Sequence, residues 1–120
     1  MTPSLAVRPL VAAALLREGR TVELPLGGAS MRPLFAPGDR LRVAPARAAD
    51  VGAGDVVLVD DGGRLICHRL VYKTATHFVA RGDDAPLCDP PRPLATLVGR
   101  VHVPPSPRAL AAAVRALFRR

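Results

Sequence analysis

Apolar residues recur along the chain in two rhythms. At both ends they keep helical spacing, and through the middle they alternate or cluster in short runs cut by Gly, Pro and Asp. Residues 4–17, SLAVRPLVAAALLR, read as a helix with Ser4 as a cap, Pro9 early in it and Gly19 just beyond its end. Residues 21–26 read as a short strand, Gly27-Gly28 as a turn, and residues 31–35 as one helical turn stopped by Pro37-Gly38. Residues 40–43 alternate as a strand does, and residues 55–59, DVVLV, are apolar enough for a strand buried on both faces. Asp60-Asp61-Gly62-Gly63 is a hairpin signal leading into a long strand, Arg64–Lys73. His77–Arg81 and residues 98–103 are further short strands, the segment 84–93 is a proline-rich loop, and Pro104-Pro105-Ser106-Pro107 is a stiff linker.

The final stretch, ALAAAVRALFRR, places Leu110, Val114, Leu117 and Phe118 at helical spacing with arginines opposite. It reads as a helix that packs on the domain or, as the alternative, lies on a membrane surface. The expected fold is mainly β: short, mostly antiparallel strands with an N-terminal and a C-terminal helix. Residues 1–20 form the first helix, 21–103 the β domain, and 104–120 the linker and basic amphipathic helix.

With 120 residues the chain has room for one domain and one modest core. Three Phe, one Tyr and no Trp leave that core to Val, Leu and Ala, which suits short strands. The net charge of +7 sits mainly at the ends: +2 over residues 1–20, +1 over 21–103 and +4 over 104–120. A nucleic-acid-binding core carries its basic stripe through the fold itself, so this distribution argues against DNA or RNA and points to an anionic surface or acidic partner. Cys67 and Cys88 match no zinc spacing and read as two free thiols in a reducing compartment, with a single bridge between them as the alternative. No pattern calls for a metal or cofactor. The longest apolar run near the N-terminus, residues 10–16, is far shorter than the roughly 20 residues a membrane span needs. A cytoplasmic protein, soluble or peripheral to a membrane, is expected.

Candidate chemistry lies in GGASMRPLFAPGD, residues 27–39, and in RLICHRLVYK, residues 64–73. A period of two puts Ile66, His68, Leu70 and Tyr72 on one strand face and Cys67, Arg69, Val71 and Lys73 on the other. Taken singly, Ser30 is a turn or cap serine and His68 a core histidine bonded to a carbonyl. Taken together, they offer a hydroxyl and a base that can take its proton. Sixteen of the seventeen Lys and Arg residues are arginine, which stays charged near neutral pH, and the single lysine, Lys73, falls on the face opposite His68. His68 is therefore the expected base for Ser30. A histidine base needs an acceptor on its second nitrogen, and RGDDAPLCDPP supplies Asp83, Asp84 and Asp89, each of which also reads as a turn or solvated residue.

In order, GASMRPLFAPGDRLRV, GDVVLV, ICHRLV, ARGDDAPLCD and LVGRV resemble the boxes of the signal-peptidase-like serine endopeptidases, over roughly residues 22–103. The resemblance implies a Ser-Met-x-Pro nucleophile box at Ser30 and a base box at His68, histidine as in the archaeal and endoplasmic-reticulum branch where bacterial relatives have lysine. It also implies an aspartate supporting the histidine, with Asp89 favoured and Asp83 second. It further implies acyl transfer to Ser30, an oxyanion held by the Ser30 backbone N–H, and a peptide substrate bound extended beside the strands flanking the site. Met31 and Leu34 are candidate substrate-pocket residues, with a core role as their default. Three features depart from the family pattern. Gly28 stands where many relatives carry a hydroxyl, Asp84 replaces an Asn, and only a short helix precedes the nucleophile where secretory relatives carry a membrane anchor. Those departures favour a precursor or leader peptide over exported preproteins as substrate. Gly28 also keeps open a catalytically silent domain that binds extended peptides. The shared Ser-Met box keeps open a self-cleaving regulatory domain of the SOS-repressor type, a reading that calls for a DNA-binding segment and a lysine base, neither of which is expected here.

Overall fold

Strand β4 (Val56–Asp61) has four consecutive buried positions, Val56 to Val59, each at 2% exposure or less, and the sheet is assembled around it. The computed structural model describes residues 5–118, and there the fold is mainly β with a helix towards each end. Eight strands form one sheet: β1 (Leu5–Ala6), β2 (Val22–Pro25), β3 (Arg40–Pro45), β4, β5 (Arg64–Lys73), β6 (His77–Arg81), β7 (Arg92–Pro93) and β8 (Leu97–Val101). Their order is β1-β2-β3-β8-β4-β5-β6-β7, with β1 parallel to β2 and every other neighbour antiparallel. Helices α1 (Pro9–Arg17) and α2 (Pro107–Phe118) complete the domain.

An unbroken VVLV run is explained by burial on both faces of β4. Val56 and Leu58 pack with Leu41, Val43, Val98 and Val101, under Leu16 of α1 and Ala112 of α2. Val57 and Val59 face the other way, into a second cluster with Ile66, Leu70, Phe78 and Leu97. Each such Val or Leu contributes about 2 kcal/mol by leaving water.

The hairpin forms where the sequence indicates it. β4 and β5 stay in register to Asp61↔Arg64, and Gly62 and Gly63 both take positive φ (63° and 90°), as a tight two-residue turn requires. Arg17, in the last turn of α1, donates to Asp60 Oδ2 at 2.8 Å and holds that carboxyl below the usual carboxylate range, fastening the helix to the hairpin.

Several expectations need correction. The first helix begins at Pro9, because the residue before a proline is pushed out of helical geometry; Leu5–Ala6 instead extend the sheet beside β2. Ser4, expected as its cap, lies outside the described residues. The loop 84–93 ends in a short edge strand, β7, paired with β6. Past Leu70 the period-two reading of β5 fails: a register shift between Leu70 and Tyr72 inserts one residue opposite β6. Helix α2 does pack on the body, but through Ala112 and the partly buried Ala109 rather than through its large apolar residues. Among the described residues no helix is long and apolar enough to cross a membrane.

The two cysteines are free thiols in different surroundings. Burial pushes the Cys67 thiol up to about 12, with the Asp83 charge adding to the effect, whereas Cys88 is exposed. Alkylation of the native protein near pH 8 should therefore modify Cys88 alone, and Cys67 only after denaturant is added. Mass spectrometry of the labelled peptides checks this.

Candidate active site

Ser30 opens the turn that follows Gly27-Gly28-Ala29, and its neighbours anchor that turn. Met31, Leu34 and Phe35 are buried in the core with Leu41 and Val43, so the side chains after the serine act as a plug. The loop closes on itself: Leu26 N–H donates to Asp39 O at 2.8 Å, Gly38 N–H to Leu26 O at 2.9 Å, and Ala36 N–H to Asp39 Oδ2 at 2.9 Å. The Pro37-Gly38-Asp39 punctuation thus locks the base of the serine loop. Met31 and Leu34, candidates for a substrate pocket, are core residues and do not line the cleft beside Ser30.

His68 projects from β5 opposite Val57. Its Nε2 lies 3.0 Å from Ser30 Oγ, and its Nδ1 lies 2.5 Å from Asp89 Oδ2. An ionised carboxylate can only accept, so the neutral ring carries its proton on Nδ1 and leaves the Nε2 lone pair to take the Ser30 hydroxyl proton. The His68 and Asp89 side chains are largely buried, at 13% and 16% exposure, which limits competition from water. Asp89 is held in turn: its N–H donates to Ala80 O at 2.8 Å, and Arg92 Nη1 donates to its Oδ2 at 3.0 Å.

Asp83, the second candidate to support His68, is placed elsewhere. Arg69 grips it through Nε to Oδ1 and Nη2 to Oδ2, both 2.8 Å, while Arg69 Nη1 donates to Gly54 O at 2.8 Å. The residues on either side of Asp83 touch the serine. Asp84 N–H donates to Ser30 O at 2.8 Å. A Cβ on Gly82 would lie 2.7 Å from Ser30 O, 2.9 Å from Ser30 Cβ and 3.1 Å from His68 Nε2, so no larger residue fits there without displacing the pair. The Gly82-Asp83-Asp84 box is a clamp. Lys73 is committed elsewhere, its Nζ donating to Ala48 O at 2.7 Å and Val51 O at 2.5 Å.

Gly82, Arg69 and Arg92 were not singled out from the sequence. The arginine beside His68 and the glycine before two aspartates were visible as signals, but their pairing needs the fold. A cleft of about 400 Å³ opens beside the serine, lined by Leu26 to Gly28, Ser30, the start of β5, Asp89 and Arg92. β6 pairs with β5 only from Arg69 onward, so residues 64–68 have β4 on one side and, among the described residues, no strand on the other. Neither is any group of three or more His, Cys, Asp or Glu side chains placed to hold a metal among the described residues.

Asp83→Ala would strand the largely buried Arg69 charge and should cost about 3 kcal/mol in urea unfolding. Asp89→Ala, which leaves a neutral ring and an arginine with a second partner in Asp61, should cost less than half as much.

No protein-family model matches this chain, and no curated protein or solved structure matches it.

Proposed function

We propose that the protein is a serine endopeptidase that cleaves a specific precursor or leader peptide. One observation carries this reading: a hydroxyl, an imidazole and a carboxylate linked in series at 3.0 and 2.5 Å, beside a cleft lined by a stretch of β5 that, among the described residues, has a strand on one side only. Ser30 Oγ attacks the peptide carbonyl carbon as His68 Nε2 takes the hydroxyl proton. The imidazolium formed is stabilised by Asp89, then gives its proton to the leaving amine, and water releases the acyl group with His68 again acting as base. Among the described residues, the N–H groups of Gly28, Ala29 and Ser30 have no acceptor within the protein. The Ser30 N–H is the donor assigned to the developing oxyanion, and the N–H of Gly28, which lines the cleft, takes the place of the side chain that Gly28 lacks. A substrate strand laid along residues 64–68 would gain main-chain hydrogen bonds there. An exposed free Cys88 suits a reducing compartment, so we assign the activity to the cytoplasm or the membrane face bordering it.

Gly28 also favours a second reading, a domain that binds extended peptides without turning them over. Cleavage of a peptide library by the purified protein separates the two. The peptidase reading predicts turnover that falls at least a thousandfold, roughly, in Ser30→Ala and His68→Ala, and by a comparable factor in Asp89→Ala. Gly82→Ala should lower kcat through displacement of Ser30, with the fold retained. Binding of extended peptides without turnover in the wild type would select the second reading.

A further inference from the structure

Helix α2 is mounted with its large apolar residues outward. Ala112 is fully buried at 0% exposure, whereas Leu110, Val114, Leu117 and Phe118 are 68%, 47%, 73% and 76% exposed. At 3.6 residues per turn these four fall within an arc of about 100°. The docked alanines lie on the far side of the helix from that arc. A helix selected only to cover the core would present the Leu and Phe side chains inward and the alanines outward. Here the small face lets α2 sit close against the body, and the apolar stripe is left for something else. The stripe borders further apolar surface, since Leu117 shares a groove with Val71 and Cys88.

Charge identifies the occupant. Arg108 and Arg115 flank the stripe on one side and remain about half exposed while pairing with Asp39 and Asp84. Arg119 and Arg120 follow in the sequence, so residues 104–120 carry +4 with no acidic residue in a chain of net charge +7. A second copy docked on the same stripe would bring two such segments together and is opposed by that repulsion. An anionic lipid surface supplies both an apolar layer for Leu110, Val114, Leu117 and Phe118 and the counter-charge for the arginines. We propose that α2 is a docking helix that lays the protein on an anionic membrane surface. The same helix also touches the candidate site's loops, because Arg108 Nε donates to Pro33 O at 2.9 Å and Arg115 pairs with Asp84 at 3.3 Å. Docking through the outer stripe would therefore hold the Ser30 cleft at a fixed position relative to the membrane.

The test does not depend on catalysis. Full-length protein is sedimented with phosphatidylcholine vesicles with and without phosphatidylglycerol, alongside Leu110→Asp/Phe118→Asp, whose two sites are exposed and should leave the melting temperature unchanged. The expected result is binding to the anionic vesicles that exceeds binding to neutral ones, weakens with salt, and falls about tenfold or more in the double variant. Three results would each overturn the proposal: no sedimentation of the wild type with anionic vesicles, equal binding by the double variant, or a wild-type dimer in solution that the double variant abolishes.

Discussion

Arg69 holds Asp83 through two parallel 2.8 Å hydrogen bonds, and this ion pair sets the distance between the two halves of the candidate site. Arg69 follows His68 in β5, and Asp83 lies between Gly82 and Asp84, both in contact with Ser30. A shift of the loop by one ångström would therefore change the separation of hydroxyl and imidazole directly. The pair is well suited to the task. Asp83 is nearly fully buried, the fork geometry fixes both groups, and a third arginine donor is satisfied by Gly54 O, so little of the desolvation cost goes uncompensated. Neither residue needs to touch substrate to matter.

The polar constellation rests on apolar anchoring on each side. Met31, Leu34 and Phe35 plug the serine loop into the core, while Val57 and the hairpin hold β5 in register under His68. Asp89 comes from a loop but is pinned at its backbone by Ala80 and at its side chain by Arg92. Pre-set geometry of this kind is what hydrogen-bond relays require, since reorganisation during a reaction would cost more than the bonds return. The result is a small domain whose candidate site is braced from both sides. Helix α2 adds arginine contacts to two of the same loops while turning its own apolar face away.

Much of this was legible in the sequence where a single physical cause dominated. The Gly62-Gly63 hairpin follows from backbone sterics, the buried β4 from an unbroken apolar run, and Ser30 with His68 from the near absence of lysine. Reading stopped where two causes competed. Pro9 moved the start of the expected helix from residue 4 to residue 9, because its restriction on Arg8 outweighed the helical pattern before it. The bulge after Leu70 broke the alternation that had fixed the face of Lys73, since register shifts depend on the neighbouring strand. The choice between Asp83 and Asp89 could not be made from spacing, because both lie in one turn-rich segment. Which one meets the ring is decided by the pull of Arg69 on Asp83. Leu110, Val114, Leu117 and Phe118 gave the period of α2, but periodicity alone does not say which face is docked.

The central claim is that Ser30 is a nucleophile activated through His68. The most direct test is reaction of the purified protein with a fluorophosphonate, followed by peptide-resolved mass spectrometry. The predicted result is a stoichiometric adduct on Ser30 in the wild type and its loss in His68→Ala. An unmodified Ser30, or a modification that proceeds equally well without the imidazole, would contradict it.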